Sequence, residues 1–195
     1  MAVVEGMNIE VLGPAETNMY LGRALSLTNT HEAELDHRLK KAWAKFGVFK
    51  HELTDRSIPV HLRMQLVHSV VTPTALYGCG SWVMTVERDS RLNAAQMKMV
   101  RDILGRKRVI TPEREIETWV ARVQRATVEA RQLMEKLTIP SWTEDRCSRL
   151  QNWSNTLEKM NGERWARRVR IWDPDGRRAR GRPLSRWIDQ PLLSP

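Results

Sequence analysis

The chain has 195 residues, with 32 Lys and Arg against 23 Asp and Glu, a net charge of +9 and a sequence pI of about 10.1. That length fits one domain, or one domain with a tail, and the basic balance points to polyanionic partners such as nucleic acid. Two cysteines, Cys79 and Cys147, exclude a disulfide scaffold and a multi-cysteine zinc knuckle, and no apolar run approaches the ~20 residues of a membrane span.

Residues 2–27 carry the only strand-like signal. Ala2-Val3-Val4 and Ile9-Glu10-Val11-Leu12 flank Gly6-Met7-Asn8, which predicts a short hairpin. The first residues have neither a basic nor a long apolar stretch, so an intracellular protein, nuclear or cytoplasmic, is expected. Tyr20-Leu21-Gly22 then reads as a core plug and a turn. From Asn29 the period becomes helical, with Asn29-x-x-Glu32 as a capping box. Leu35, Leu39, Ala42, Trp43, Phe46, Phe49 and Leu53 mark one apolar face. Arg38, Lys41 and Lys45 form a basic stripe beside it, at steps of three and four.

A second helix is predicted from Ser57, with Pro59 in its first turn and Leu62, Leu66, Val67, Val70 and Val71 inward; Pro73 should end or kink it. Leu76-Tyr77-Gly78-Cys79-Gly80 reads as a connection to Trp82. A third helix near residues 88–104 turns Leu92, Gln96, Met99, Val100, Ile103 and Leu104 inward and ends at a left-handed Gly105. Thr111-Pro112-Glu113 has the pattern that opens a helix, with Ile116, Trp119, Val120, Val123, Ala130 and Met134 on its face. Another helix from Ser141 holds Leu150, Trp153, Leu157 and Met160 and stops at Asn161-Gly162.

Charge divides these segments. Residues 31–110 hold fourteen Lys and Arg against eight Asp and Glu, residues 111–160 hold eight of each, and residues 161–195 hold nine against four. The tail contains Arg167, Arg168, Arg177, Arg178 and Arg186, with Trp165, Trp172 and Trp187 between them. Arg180-Gly181-Arg182-Pro183 is the core of an AT-hook, whose two Arg enter a narrow A·T minor groove. Clustered Arg also bind phosphate without sequence preference. The Trp can stack on bases or anchor the tail.

The ordered set Tyr20-Leu21-Gly22, Glu34-Leu35, Arg38-Leu39, Ala42-Trp43, Phe46, Pro73, Leu76-Tyr77-Gly78, Trp82, Leu92, Gln96 and Arg101-x-Ile103-Leu104-Gly105 resembles one stretch of the reverse transcriptases of non-LTR (LINE-type) retrotransposons. That stretch runs from just after the catalytic palm strand through the helical thumb. Arg149-Leu150-x-x-Trp153, Leu157-x-x-Met160 and the Arg-Gly-Arg-Pro tail resemble the post-thumb region, although Ser154-Asn155 stands where family members usually carry Gly-His. The resemblance implies a mainly α fold of five or six helices, a thumb-like bundle with a short N-terminal β-hairpin and a basic C-terminal tail. It divides the chain into a palm-edge remnant (1–27), a helical thumb-like domain (28–110), a helical connector (111–160) and an Arg/Trp-rich tail (161–195).

The same resemblance assigns Tyr20, Leu21 and Gly22 to a primer-gripping element. It assigns Arg38, Lys41, Lys45, Arg167, Arg168, Arg177, Arg178, Arg180, Arg182 and Arg186 to nucleic acid. The expected partners are RNA or DNA and the missing fingers–palm part of the polymerase, with no membrane. The family's Tyr-x-Asp-Asp turn is absent, and Asp36, Asp55, Asp89, Asp102, Asp145, Asp173, Asp175 and Asp189 include only one close pair, in a Pro-Gly turn. No enzyme activity and no cofactor are therefore expected of this chain alone, whereas the intact family enzyme uses Mg²⁺. Two alternatives remain at this stage: a helical protein-interaction module, and AT-hook-like DNA binding through the tail.

Overall fold

The computed structural model describes residues 2–4, 7–9, 13, 16–28, 30–110 and 116–171. The described chain is mainly helical, with short antiparallel pairing at the N-terminus, as the sequence predicts. β1 (Ala2–Val4) pairs with β2 (Met7–Ile9), Ala2 opposite Ile9 and Val4 opposite Met7. Met7 and Asn8 therefore extend the strand rather than turn, because the register leaves a two-residue link, the length favoured in hairpins. A second hairpin joins β3 (Thr17–Tyr20) to β4 (Arg23–Ser26). Only β4 alternates, with Ala24 and Ser26 buried, while all of β3 is exposed. That explains why periodicity alone does not reveal the pair.

α1 (Thr30–Val48) buries Leu35, Ala42 and Phe46 and leaves Leu39 and Trp43 half-buried against the same core. α2 (Lys50–Thr54) adds Leu53. Pro73 does not stop the next helix. α3 (Val60–Leu66) widens into a π turn over Val67–Val71 and continues as α4 (Thr72–Ala75). In the π turn the Thr72 N–H reaches the Val67 carbonyl, and Thr74 Oγ1 donates to the Val70 carbonyl at 2.9 Å. The wider turn thus satisfies backbone groups around a residue that has no N–H to donate.

Leu62 is exposed, contrary to its predicted inward place. Arg63 and Met64 turn inward instead. Arg63 does so because its guanidinium ties three chain ends together. Nε donates to Ile58 O at 3.0 Å, and Nη1 donates to Leu53 O at 3.2 Å and Ile103 O at 2.8 Å.

α5 (Val86–Leu104) buries Leu92, Gln96, Met99, Val100 and Ile103 and ends at Gly105 with φ 56°, the left-handed cap that glycine favours. α5 runs alongside α1 in the same direction: Glu32 meets Arg88 and Arg91, Asp36 meets Arg91, and Lys98 lies over the Trp43 ring. α6 (Trp119–Lys136) starts later than Thr111-Pro112 predicts, and residues 111–115 lie outside the described part. Ile116 instead forms an isolated antiparallel bridge with Ile110, and Glu117 N donates to Val109 O at 2.9 Å. This extended segment delays the helix to the Thr118 cap and leaves Ile116, Trp119 and Val120 exposed. The buried face of α6 is Ala126, Ala130 and Met134.

α7 (Trp142–Lys159) opens with a full capping box between Ser141 and Glu144. It buries Leu150 and Leu157 as predicted, but Trp153 is part-exposed at its side. Arg146 is fully buried on this helix, 3.3 Å from the Asp89 carboxylate. Burial raises the Asp89 pKa above the ordinary carboxylate value despite that neighbour. A short α8 (Trp165–Ile171) follows and packs on α7.

One apolar core joins these helices: Ala130, Met134 and Trp142 lie in the same cluster as Leu35, Phe46, Val71 and Met99. Gln96 makes the junction specific. Its Oε1 accepts from Trp142 N at 2.8 Å, its Nε2 donates to Pro140 O at 3.1 Å, and Trp142 Nε1 donates to Thr72 Oγ1 at 3.0 Å. Gln96→Leu keeps the volume but strands two backbone groups. It should destabilise the fold by about 2–4 kcal/mol in urea denaturation, whereas substitution of the exposed neighbour Ala94 by Ser should change it by less than about 0.5 kcal/mol.

Candidate nucleic-acid interface

Glu34 and Arg38 stand one helical turn apart on α1, an order of charges that supports the helix. Both are buried. Arg38 Nε donates to Glu34 Oε1 at 2.8 Å, and Glu34 Oε2 accepts the Ala24 N–H at 2.5 Å, which fixes β4 against the helix. Arg38 Nη2 donates to the Gly22 carbonyl at the hairpin tip. A face of the guanidinium stacks on Tyr77, its Cζ 4.5 Å from the ring centroid, and Tyr77 Oη donates to Leu21 O at 3.2 Å. Arg23 Nε lies 3.8 Å from Glu34 Oε1. At the hairpin's open end Thr30 Oγ1 donates to the Ser26 carbonyl. Gly78 adopts φ 69°, and a Cβ there would touch the Arg23 side chain at 3.6 Å, so the chain passes close beneath the hairpin.

Residues dispersed over sixty positions in sequence therefore converge on one place. Tyr20-Leu21-Gly22, Glu34, Arg38 and Tyr77-Gly78 form a single assembly that presents the hairpin tip outward. The tip is a two-residue turn with Leu21 at φ 48° and Gly22 at φ 78°, both positive as type I′ geometry requires. Glycine adopts this freely, but for leucine it costs about 1–2 kcal/mol. Nothing in the core offsets that strain, since Leu21 is 75% exposed and its neighbours Met19 and Tyr20 are exposed with it.

The basic stripe is corrected at its first member. Arg38 is buried and its guanidinium is committed to Glu34, Gly22 and Tyr77, so it does not offer its charge to the surface. The signal that could have shown this is the Glu34 carboxylate four residues earlier. Lys41 and Lys45 are exposed and neither is paired with a carboxylate among the described residues. They continue along the α1 edge that starts at the hairpin, Lys45 about 10 Å beyond Arg38 at 1.5 Å per residue. His37 adds no charge there at neutral pH: desolvation first, then the neighbouring Arg38, lowers its pKa below the ordinary value.

On α8, Arg168 stacks 4.6 Å from the ring of Trp165, which is exposed and does not anchor the segment. Arg167 donates to the Met160 carbonyl at the end of α7, and Arg170 pairs with Glu158 at 2.8 Å. Arg177, Arg178, Arg180, Arg182, Arg186 and the AT-hook core lie outside the described residues. Cys79 is buried, with its thiol pKa pushed up to about 11 by desolvation, which suits packing and not nucleophilic chemistry. Among the described residues no group of three His, Cys, Asp or Glu could hold a metal ion, and no helix is long and apolar enough to cross a membrane.

Comparison with known proteins finds no matching family model and no matching solved structure. Among curated proteins the chain is similar to an uncharacterized transposon-derived protein of Caenorhabditis elegans, 24% identical over 179 residues. The match covers 91% of this chain and 60% of that protein, so the chain spans well under two thirds of its relative's length.

The geometry separates Arg38 from the lysines that follow it. Arg38→Ala leaves the buried Glu34 carboxylate without its cation and should cost about 3–5 kcal/mol in urea denaturation. Lys41→Ala and Lys45→Ala should each stay within about 0.5 kcal/mol of the parent. Equal effects at all three positions would mean that Arg38 is not the buried pin.

Proposed function

We propose that this chain is a transposable-element protein that binds nucleic acid, the thumb and post-thumb part of a non-LTR retrotransposon reverse transcriptase. In this reading the hairpin tip of Tyr20, Leu21 and Gly22 presses on the primer strand while Lys41 and Lys45 follow its phosphates. The observation that carries it is the convergence of Tyr20-Leu21-Gly22, Glu34, Arg38 and Tyr77-Gly78 around an exposed, strained turn. The similarity to a transposon-derived protein supports the same origin.

The chemistry suits a polyanion with exposed bases. Lysines bind phosphate as point charges and release counterions. Aromatic and apolar side chains at the tip contact base or sugar faces without reading sequence. Arg167, Arg168 and the Arg of residues 177–186 would extend the phosphate contacts, with Trp165 beside Arg168 as a stacking surface. The described residues hold no group of three His, Cys, Asp or Glu that could take the Mg²⁺ of the intact family enzyme. The chain would hold template–primer for catalytic residues located elsewhere, which include the fingers–palm part.

A second reading is a protein-interaction module. It draws on Ile116, Trp119 and Val120, which stand exposed together at the start of α6.

Fluorescence anisotropy with a labelled RNA–DNA hybrid over a salt series separates the two. Replacing Lys41 and Lys45 together by Ala should lower the slope of log K against log salt by about 1.4–1.8, from 0.7–0.9 per phosphate contact. Leu21→Gly should weaken binding at every salt concentration without changing the slope, while its melting temperature stays level or rises as strain is relieved. Affinity that ignores salt, with both variants binding as the parent does, would hand the chain to the protein-interaction reading.

A further inference from the structure

Arg56, Arg63 and Arg106 line one cavity of about 490 Å³ at the C-terminal end of α5, with Leu104, Glu129 and Gln132 among its other walls. That size lies within the ~300–1,000 Å³ of small-molecule sites. The three arginines differ in how their charge is met. Arg106 pairs with Glu129, Glu129 also meets Arg125, and Arg125 pairs in turn with Glu117. Arg122 also acts on Glu117, so three cations meet two carboxylates there.

Arg56 and Arg63 form no ion pair with a carboxylate among the described residues, although the Arg63 charge acts on the Asp55 carboxylate. Arg56 Nη2 donates to the Gly105 carbonyl at 2.7 Å, and Arg63 donates from Nε and Nη1 to the carbonyls of Ile58, Leu53 and Ile103. Ile103 and Gly105 close α5, whose dipole supplies only about half a negative charge at that end. Positive charge is left in excess around the cavity, and Arg63 carries its share while nine-tenths buried.

We propose that this cavity binds a phosphomonoester. Such a group carries about −1.5 to −2 charge at pH 7, the complement of two unmet guanidinium groups. Guanidinium forks match the spacing of phosphate oxygens, and the Leu104 wall suits the sugar or base attached to the phosphate. An internal phosphodiester brings one charge and two bulky substituents, which fit a concave pocket less well. The site lies at the other end of α5 from Arg88 and Arg91, which face Glu32, and does not depend on the hairpin reading. A free nucleotide and the terminal phosphate of a polynucleotide offer the same group.

Calorimetric titration of adenosine 5′-monophosphate into the full chain should give saturable binding, with adenosine giving none. Arg56 is exposed, so Arg56→Gln should keep the parent's melting temperature while weakening the nucleotide roughly tenfold, the loss expected of one charge-assisted hydrogen bond. Glu129→Gln should tighten it by removing a like charge from the wall. Leu21→Gly should leave it unchanged, so failure of the hairpin reading would not touch this result. A 5′-phosphorylated oligonucleotide that outbinds its 5′-hydroxyl counterpart, with the advantage lost in Arg56→Gln, assigns the pocket to polynucleotide ends. Nucleotide binding without that advantage assigns it to free nucleotides. Absence of both effects, or nucleotide binding that Arg56→Gln does not alter, overturns the proposal.

Discussion

Two opposite charges lie out of solvent between α1 and the second hairpin, and the placement of that hairpin depends on how they are satisfied. Removing a carboxylate and a guanidinium from water costs several kcal/mol each unless hydrogen bonds replace the lost hydration. Glu34 meets this by accepting from Arg38 and from the Ala24 N–H, and Arg38 by donating to Glu34 and Gly22 while stacking on Tyr77. Each partner is thereby a joint between two chain segments. A two-stranded hairpin is marginal by itself in water, so these joints decide whether the tip has a fixed position.

The same device recurs at the other end of the bundle. Arg63 is buried and gathers carbonyls from Leu53, Ile58 and Ile103, tying α2, the loop before α3 and the end of α5 into one corner. Gln96 does the equivalent work without charge, holding Pro140 and Trp142 where α6 gives way to α7. Apolar burial supplies the cohesion of the core, and these few polar side chains set which ends meet. The exposed elements are those left over: the strained Leu21 turn, the Lys41 and Lys45 edge, and the arginine-lined cavity.

Much of this was legible from the chain alone. The 3.6-residue period identified α1, α5 and α7, and Gly105 and Ser141 marked an end and a start that the structure keeps. What escaped has physical causes. Periodicity treats arginine as a surface residue, so the basic stripe places Arg38 outward and nothing in the local pattern singles out Arg63 or Arg146, although all three are buried. Pro73 predicts an end or a kink, and a local rule does not anticipate that a π turn carries the helix past it to Ala75. The strands at Thr17–Tyr20 carry no alternation, and the helix start near Thr111 lost to the Glu117–Val109 and Ile110–Ile116 pairings, which no local pattern encodes. Tyr20-Leu21-Gly22 reads from sequence as a motif and as a core plug with a turn, but Tyr20 is exposed and the tip's dependence on Arg38 is visible only in three dimensions.

The Arg38-anchored tip is the place proposed for contact with nucleic acid. Hydrogen–deuterium exchange of the full chain, with and without a saturating RNA–DNA hybrid, tests it most directly. New protection is expected in peptides covering residues 17–26 and 38–48. Protection confined to residues 116–120 and the start of α6, or no change anywhere at saturation, would contradict it.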